Sequence, residues 1–207
     1  MGIKDFKVLE PANVVNDLVT LIEKQLPTFT ASNEFVDILE KKKNENQHSL
    51  SFCVFMTNKC KSKFYFAREN AQLGSSVIDI AVYKGGTLIF TIEAKLLPTP
   101  NGSISHARSE HEYVYGKGAG IQRFKDGNHG RDNLDNLLNE SGMIAFLKEN
   151  DYDFWFKKVN QWVIDADWGG TEILEKVYFR SICKLVSRHN RIGGSTLVLH
   201  HFWVKVA

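Results

Sequence analysis

Asp79, Glu93 and Lys95 are the residues whose types and spacing suit chemistry. They fall in "SSVIDIAVYKGGTLIFTIEAKLL", Ser75 to Leu97, where two apolar stretches flank a Gly-Gly pair. Apolar strands avoid charge, because an unpaired ion taken out of water neutralises itself or destabilises the fold. Two acids and a lysine in such a setting must therefore meet each other or a metal. Carboxylates held within a few ångströms repel unless a hard divalent cation sits between them. Oxygen donors with no cysteine or histidine cluster beside them select Mg²⁺, with Mn²⁺ able to substitute. Lys95 follows Glu93 by two residues and points into the same space, where an ammonium can orient a water and stabilise charge on a phosphate oxygen. Metal, positioned water and cation are the parts of phosphodiester hydrolysis.

Strand geometry says how these side chains must be placed. Alternation puts Ile78, Ile80 and Val82 on one face of the first strand and Leu88, Phe90, Ile92 and Ala94 on one face of the second. Opposed residues of an antiparallel pair point the same way, so the two apolar faces coincide only if even-numbered residues pair with even-numbered ones. That register requires an odd loop such as Gly85-Gly86-Thr87, or a bulge. It also sets Asp79 directly across from Glu93, with Lys95 on the same face. A two-residue Gly85-Gly86 turn without a bulge would separate them.

The rest of the chain must supply the frame. Its 207 residues, 43% hydrophobic and 24% charged, suit one ordinary globular domain over 1–207, with a core at about 11–97 and a basic loop plus helical and hairpin part at about 98–207. The formal charge of +2 means that attraction for nucleic acid must come from local patches. Three cysteines without C-x-x-C spacing argue against a disulfide framework or zinc ribbon and fit a reducing cytoplasm. No run is long and apolar enough for a membrane span, and the N-terminus does not read as a signal peptide. Helices are predicted at about 11–25 and 33–43, then strands in "HSLSFCVFM" and "KFYFA" before the acidic hairpin. A loop at about 98–111 and an unassigned glycine-rich basic region follow. Helices at about 131–150 and 151–165 precede a terminal hairpin, "EKVYFRSICKLVSRH" and "STLVLHHFWVKV", joined by "NRIGG". This order predicts an α/β fold with a mixed central sheet flanked by helices.

Through "NEFVDILEKKK", "SVIDIAV" and "IFTIEAKLL" the chain resembles the PD-(D/E)xK nuclease superfamily, which has the restriction-endonuclease-like fold. The resemblance implies Asp79 and Glu93 as Mg²⁺ ligands, the Ala94 carbonyl as a further ligand, and Lys95 as the catalytic lysine. It also implies an acid from the upstream helix, here Glu34, a role that Glu40 or Glu69 could also fill. Ile78 stands where the name of the motif has proline. "GIQRFK" is similar to a region found after the active site in restriction-type members.

Between Tyr115 and Arg131 lie Lys117, Arg123, Lys125, His129 and Arg131 against one acid, Asp126. Cations and glycines together suit phosphate contacts, and Gln122 could orient a substrate or read a base edge. The expectation is a Mg²⁺-dependent endonuclease acting on DNA, of restriction or phage-defence type, with a repair nuclease or junction resolvase as the alternative. Cutting both strands of a duplex requires two such sites and hence a homodimer, and a restriction role implies a methyltransferase partner in the cell. From another class, a nucleic-acid-binding protein could keep the fold without cleaving. No G-x-S-x-G elbow or H-E-x-x-H zinc motif appears.

Overall fold

The computed structural model describes residues 11–39, 44–100, 108–116, 118–168, 170–179 and 182–206. The chain opens with helix α1 (Pro11–Gln25), started by a proline that suits a first helical turn. Its Val14, Val15, Leu18, Val19 and Ile22 form a buried stripe. A 3₁₀ turn (Leu26–Ala31) containing Pro27 ends it and drives Phe29 into the core. Truncating a fully buried residue such as Leu18 to alanine would cost about 2–5 kcal/mol. Helix α2 (Asn33–Leu39) packs on helix α3 (Glu45–Lys59).

Strands β1 (Tyr65–Ala71), β2 (Val77–Lys84) and β3 (Thr87–Leu97) come next, and then the short helix α4 (Gly120–Lys125). Strand β4 (Glu140–Leu147), helix α5 (Tyr152–Asp165) and strands β5 (Glu175–Phe179), β6 (Cys183–Asn190) and β7 (Thr196–Lys205) complete the order. The strands form one seven-stranded sheet in the order β1-β2-β3-β4-β7-β6-β5. Its centre is parallel, β3 to β4 and β4 to β7, and both flanks are antiparallel. One face buries Phe66, Ile80, Phe90, Ile92, Ile144 and Phe202 with residues of α1 and α3. The other buries Leu97, Met143, Ala145, Leu199 and Trp203 with residues of α4 and α5. The mixed sheet flanked by helices is as the sequence predicts. Among the described residues no helix is long and apolar enough to cross a membrane.

Two predicted elements are of the other type. "HSLSFCVFM" is not a strand: it lies in α3, where His48, Phe52, Phe55 and Met56 are buried at helical spacing. Asn44 caps that helix, its side chain accepting from the Gln47 amide at 3.0 Å, which outweighs the strand-like composition. The helix predicted at about 131–150 is replaced by a loop and β4. Leu134 and Leu137 of that loop are exposed. The apolar run Met143–Leu147 is continuous because β4 is buried on both faces, and a strand buried on both faces shows no alternation to read. The second helix is described only to Leu39.

Candidate active site

The hairpin of β2 and β3 has the parity that brings Asp79 toward Glu93. Gly85 and Gly86, both with positive φ, make a two-residue turn closed by Lys84 opposite Thr87. A bulge between Val82 and Tyr83 then shifts the register, with Ile89 as the extra residue of β3. Beyond it Val82 pairs with Phe90 and Ile80 with Ile92, so the even register is reached by turn plus bulge instead of a three-residue loop.

The ladder ends at Ile80–Ile92, and there the site opens. One step further, the Ala94 amide donates to Asp79 Oδ2 at 2.8 Å instead of to a main-chain carbonyl of β2. The next amide on that edge, Leu96, donates to Glu45 Oε2 at 2.9 Å. Two carboxylates, one from β2 and one from the first turn of α3, thus cap the edge that β2 leaves unpaired. A strand residue turns its N–H and C=O to the same edge, so the Ala94 carbonyl shares this opening.

Glu93 and Lys95 are both buried and form an ion pair of 2.7 Å through Glu93 Oε1. Arg123 Nη1 lies 3.6 Å from the same oxygen, and His129 Nδ1 lies 3.4 Å from Oε2. Arg108 bridges Glu45 at 3.5 Å and Glu112 through its Nε at 2.7 Å, which anchors the capping acid. Burial, with the charge of Glu93 beside it, pushes the Asp79 carboxyl up to about 8 against the pull of Lys95 and the Ala94 amide. Burial works against the Lys95 ammonium, but Glu93, Glu45 and Asp79 outweigh it and hold the group above the usual lysine range. The His129 imidazole is pushed down to about 3, by burial first and then by Arg123 and Lys95.

The upstream acid of this cluster is Glu45, which sequence reasoning missed. Glu34 is not brought to it: its carboxylate accepts from Asn58 Nδ2 at 2.8 Å, near the far end of α3. At 1.5 Å per residue Asn58 stands about 20 Å along the helix from Glu45. Glu40 lies outside the described residues. Glu69 falls in the β1–β2 register beside Asp79, between the pairs Arg68–Ile80 and Asn70–Ile78, but its exposed side chain pairs with Arg68 and its φ is 52°. The signal for Glu45 was the helix start Asn44-Glu45-Asn46-Gln47, obscured once the following residues were read as a strand.

The basic segment is bound into the fold more than expected. Lys117 lies outside the described residues. Gln122 Oε1 accepts from the Gly116 amide at 3.0 Å, fixing the turn before α4. Lys125 and His129 correct the expectation of phosphate contacts, because both are buried. Lys125 pairs with Glu172 at 2.5 Å and donates to the Asn190 carbonyl at 2.9 Å. Arg131 spends its guanidinium on the Gly127 carbonyl at 2.7 Å and the Asp135 carbonyl at 2.5 Å, holding its own loop. Among the described residues of this group, half-buried Arg123 and buried His129 reach the acidic cluster, both at Glu93. Helix α4 comes so close because Gly120 has no side chain: a Cβ there would stand 2.9 Å from the Tyr113 carbonyl and collide with Met143.

Among the described residues no three His, Cys, Asp or Glu side chains are grouped so as to hold a metal ion. Glu93 is turned toward Lys95, Arg123 and His129. Its Oε2 is nevertheless buried without a hydrogen-bond partner, and the crowding of Asp79 by Glu93 is the electrostatic condition a cation relieves. Comparison with protein-family models, with curated proteins and with solved structures finds no match to this chain.

Proposed function

We propose that the chain is a divalent-metal-dependent endonuclease that hydrolyses phosphodiester bonds of DNA. The observation that carries this reading is the gathering of Asp79, Glu93, Lys95 and Glu45 where β2 separates from β3, with Ala94 and Leu96 as the shared edge. The donors fit a hard cation: Asp79, Glu93 and the Ala94 carbonyl would hold Mg²⁺, or Mn²⁺ in its place. Bound there, the ion would supply an activated water and charge neutralisation at the phosphate.

The chain's own groups do the rest. Lys95 keeps its proton across the working range and presents a fixed ammonium beside the acids, suited to a developing phosphate charge. Arg123, with 37% of its side chain exposed, stands next to Glu93 as a second cation for the incoming phosphodiester. Glu45 and Arg108 keep the β3 edge open by satisfying its amide from the side of α3. A restriction or phage-defence role on duplex DNA leads, acting as a homodimer with a methyltransferase partner in the cell. A repair nuclease or junction resolvase is the rival within the class.

Incubation of the purified protein with plasmid, with Mg²⁺ or with chelator, tests the reading. Metal-dependent cutting is expected, lost in Asp79→Ala and in Lys95→Ala proteins that keep the wild-type circular dichroism. Cutting that survives both substitutions overturns it. Branched and methylated DNA belong in the panel, because selective cutting of a junction would assign the resolvase role and cutting of methylated DNA alone a modification-dependent enzyme. A second reading, a nucleic-acid-binding protein that does not cleave, is favoured by the ion pairing of Glu93 with Lys95 and predicts retention of DNA without any cutting.

A further inference from the structure

The ring of His129 is fully buried, yet neither Nδ1 nor Nε2 has a hydrogen-bond partner. A buried polar atom left so destabilises the fold unless something else satisfies it. The loop after α4 fixes the ring, for the His129 amide donates to the Arg123 carbonyl at 3.1 Å and the imidazole packs edge-to-face on Phe124 at 5.6 Å. What the ring faces is Glu93 Oε2, 3.4 Å from Nδ1, which is also buried and without a partner. The other oxygen of Glu93 is held by Lys95 and approached by Arg123.

Nδ1 and Oε2 therefore face each other at 3.4 Å, both buried and without a hydrogen bond. Two donors on adjacent corners of an octahedral sphere, with bonds of about 2.0–2.2 Å, stand about 3 Å apart. The 3.4 Å separation comes within a few tenths of an ångström of that. Imidazole nitrogen suits transition metals, whereas Mg²⁺ prefers oxygen donors and retains water.

We infer that His129 Nδ1 and Glu93 Oε2 act as a pair of donors to one divalent cation, a carboxylate–imidazole pair that takes Mn²⁺ in preference to Mg²⁺. This rests on the metal-dependent reading above and adds the donor that sets ion choice. The spacing alone would not have shown it, since His129 lies 34 residues beyond Lys95 in a segment expected to contact phosphate.

The test uses Mn²⁺ alone, added to the purified full chain, and reads the bound ion by electron spin-echo envelope modulation. The wild type is expected to show ¹⁴N modulation and His129→Asn to lose it. Calorimetry should give Mn²⁺ at least about a tenfold advantage over Mg²⁺, reduced in the variant. Mn²⁺ bound through oxygen alone in the wild type overturns the assignment of His129 and leaves the nuclease reading standing, a result that needs no variant to fold. No uptake of Mn²⁺ at all removes both.

Discussion

Two buried polar clusters on the α4 side of the sheet differ in one respect: one is complete and the other is not. Beyond α4, Trp203 Nε1 donates to the Tyr113 hydroxyl at 2.9 Å, Tyr113 meets His201 Nδ1 at 2.8 Å, and His201 Nε2 meets Ser187 Oγ at 2.7 Å. Ser187 meets His189 Nε2 at 2.7 Å, and His189 Nδ1 meets Glu172 at 2.8 Å. Burial opposes the charge of Glu172, but His189, Lys125 and the Asn190 amide outweigh it and hold the carboxyl at about 2. Burial also keeps both histidines below their ordinary range, hence neutral. A donor-only tryptophan at one end and an ionised acceptor at the other then allow one arrangement. Tyr113 donates to His201, His201 to Ser187, Ser187 to His189 and His189 to Glu172, so every link carries one proton. The cluster of Asp79, Glu93, Lys95 and His129, by contrast, leaves three buried atoms unpartnered and one carboxyl raised. A completed network is structural. An incomplete one leaves donors or acceptors that a water or an ion could satisfy.

Substitutions can break this contrast. The largest effect is expected on cleavage: Asp79→Ala or Lys95→Ala should lower the rate by about 10³-fold or more in a plasmid assay. Ser187→Ala in the complete network strands two imidazole nitrogens and should cost about 2–4 kcal/mol in urea unfolding. Glu45→Ala should slow cleavage by about 10²-fold while Glu34→Ala stays within about threefold, which separates the acid at the β3 edge from the one at the far end of α3. The smallest effect belongs to His129→Leu, which removes two unpartnered nitrogens and should leave metal-free stability within about 1 kcal/mol of the wild type. A cost from His129→Leu as large as that from Ser187→Ala would end the distinction.

The two clusters should also bend the pH profile of metal-free stability in opposite senses. The raised carboxyl of Asp79 binds its proton more tightly in the folded state, so its contribution falls as pH rises from about 4 toward 8. His201 is depressed by burial, so the unfolded chain binds more protons, and stability is lost as pH falls below about 6.5. Asp79→Asn should remove the first slope and leave the second, read from denaturant midpoints between pH 5 and 8.

The acidic hairpin was legible because two requirements, a shared apolar face and a gathered charge site, depend on the same parity. The sequence did not distinguish an odd loop from a turn plus a bulge, since Gly85-Gly86 serves either. Glu45 was missed because Phe52, Val54 and Phe55 have strand propensity, and the decision for a helix came from an Asn44 cap and from packing against distant strands. Strand β4 was missed because its burial on both faces comes from β3 and β7, which only the assembled sheet supplies. The cations of the 115–131 segment look alike in sequence. Their fates differ through Glu172, Glu93 and the loop carbonyls, all set by tertiary placement.

Calorimetric titration of Mn²⁺ into the wild type and into Asp79→Ala, under conditions where both are folded, bears most directly on the gap between β2 and β3 as a cation site. One binding event that disappears with Asp79 and survives Glu34→Ala is the expected result. Equal uptake by the wild type and Asp79→Ala, or none by the wild type, would contradict it.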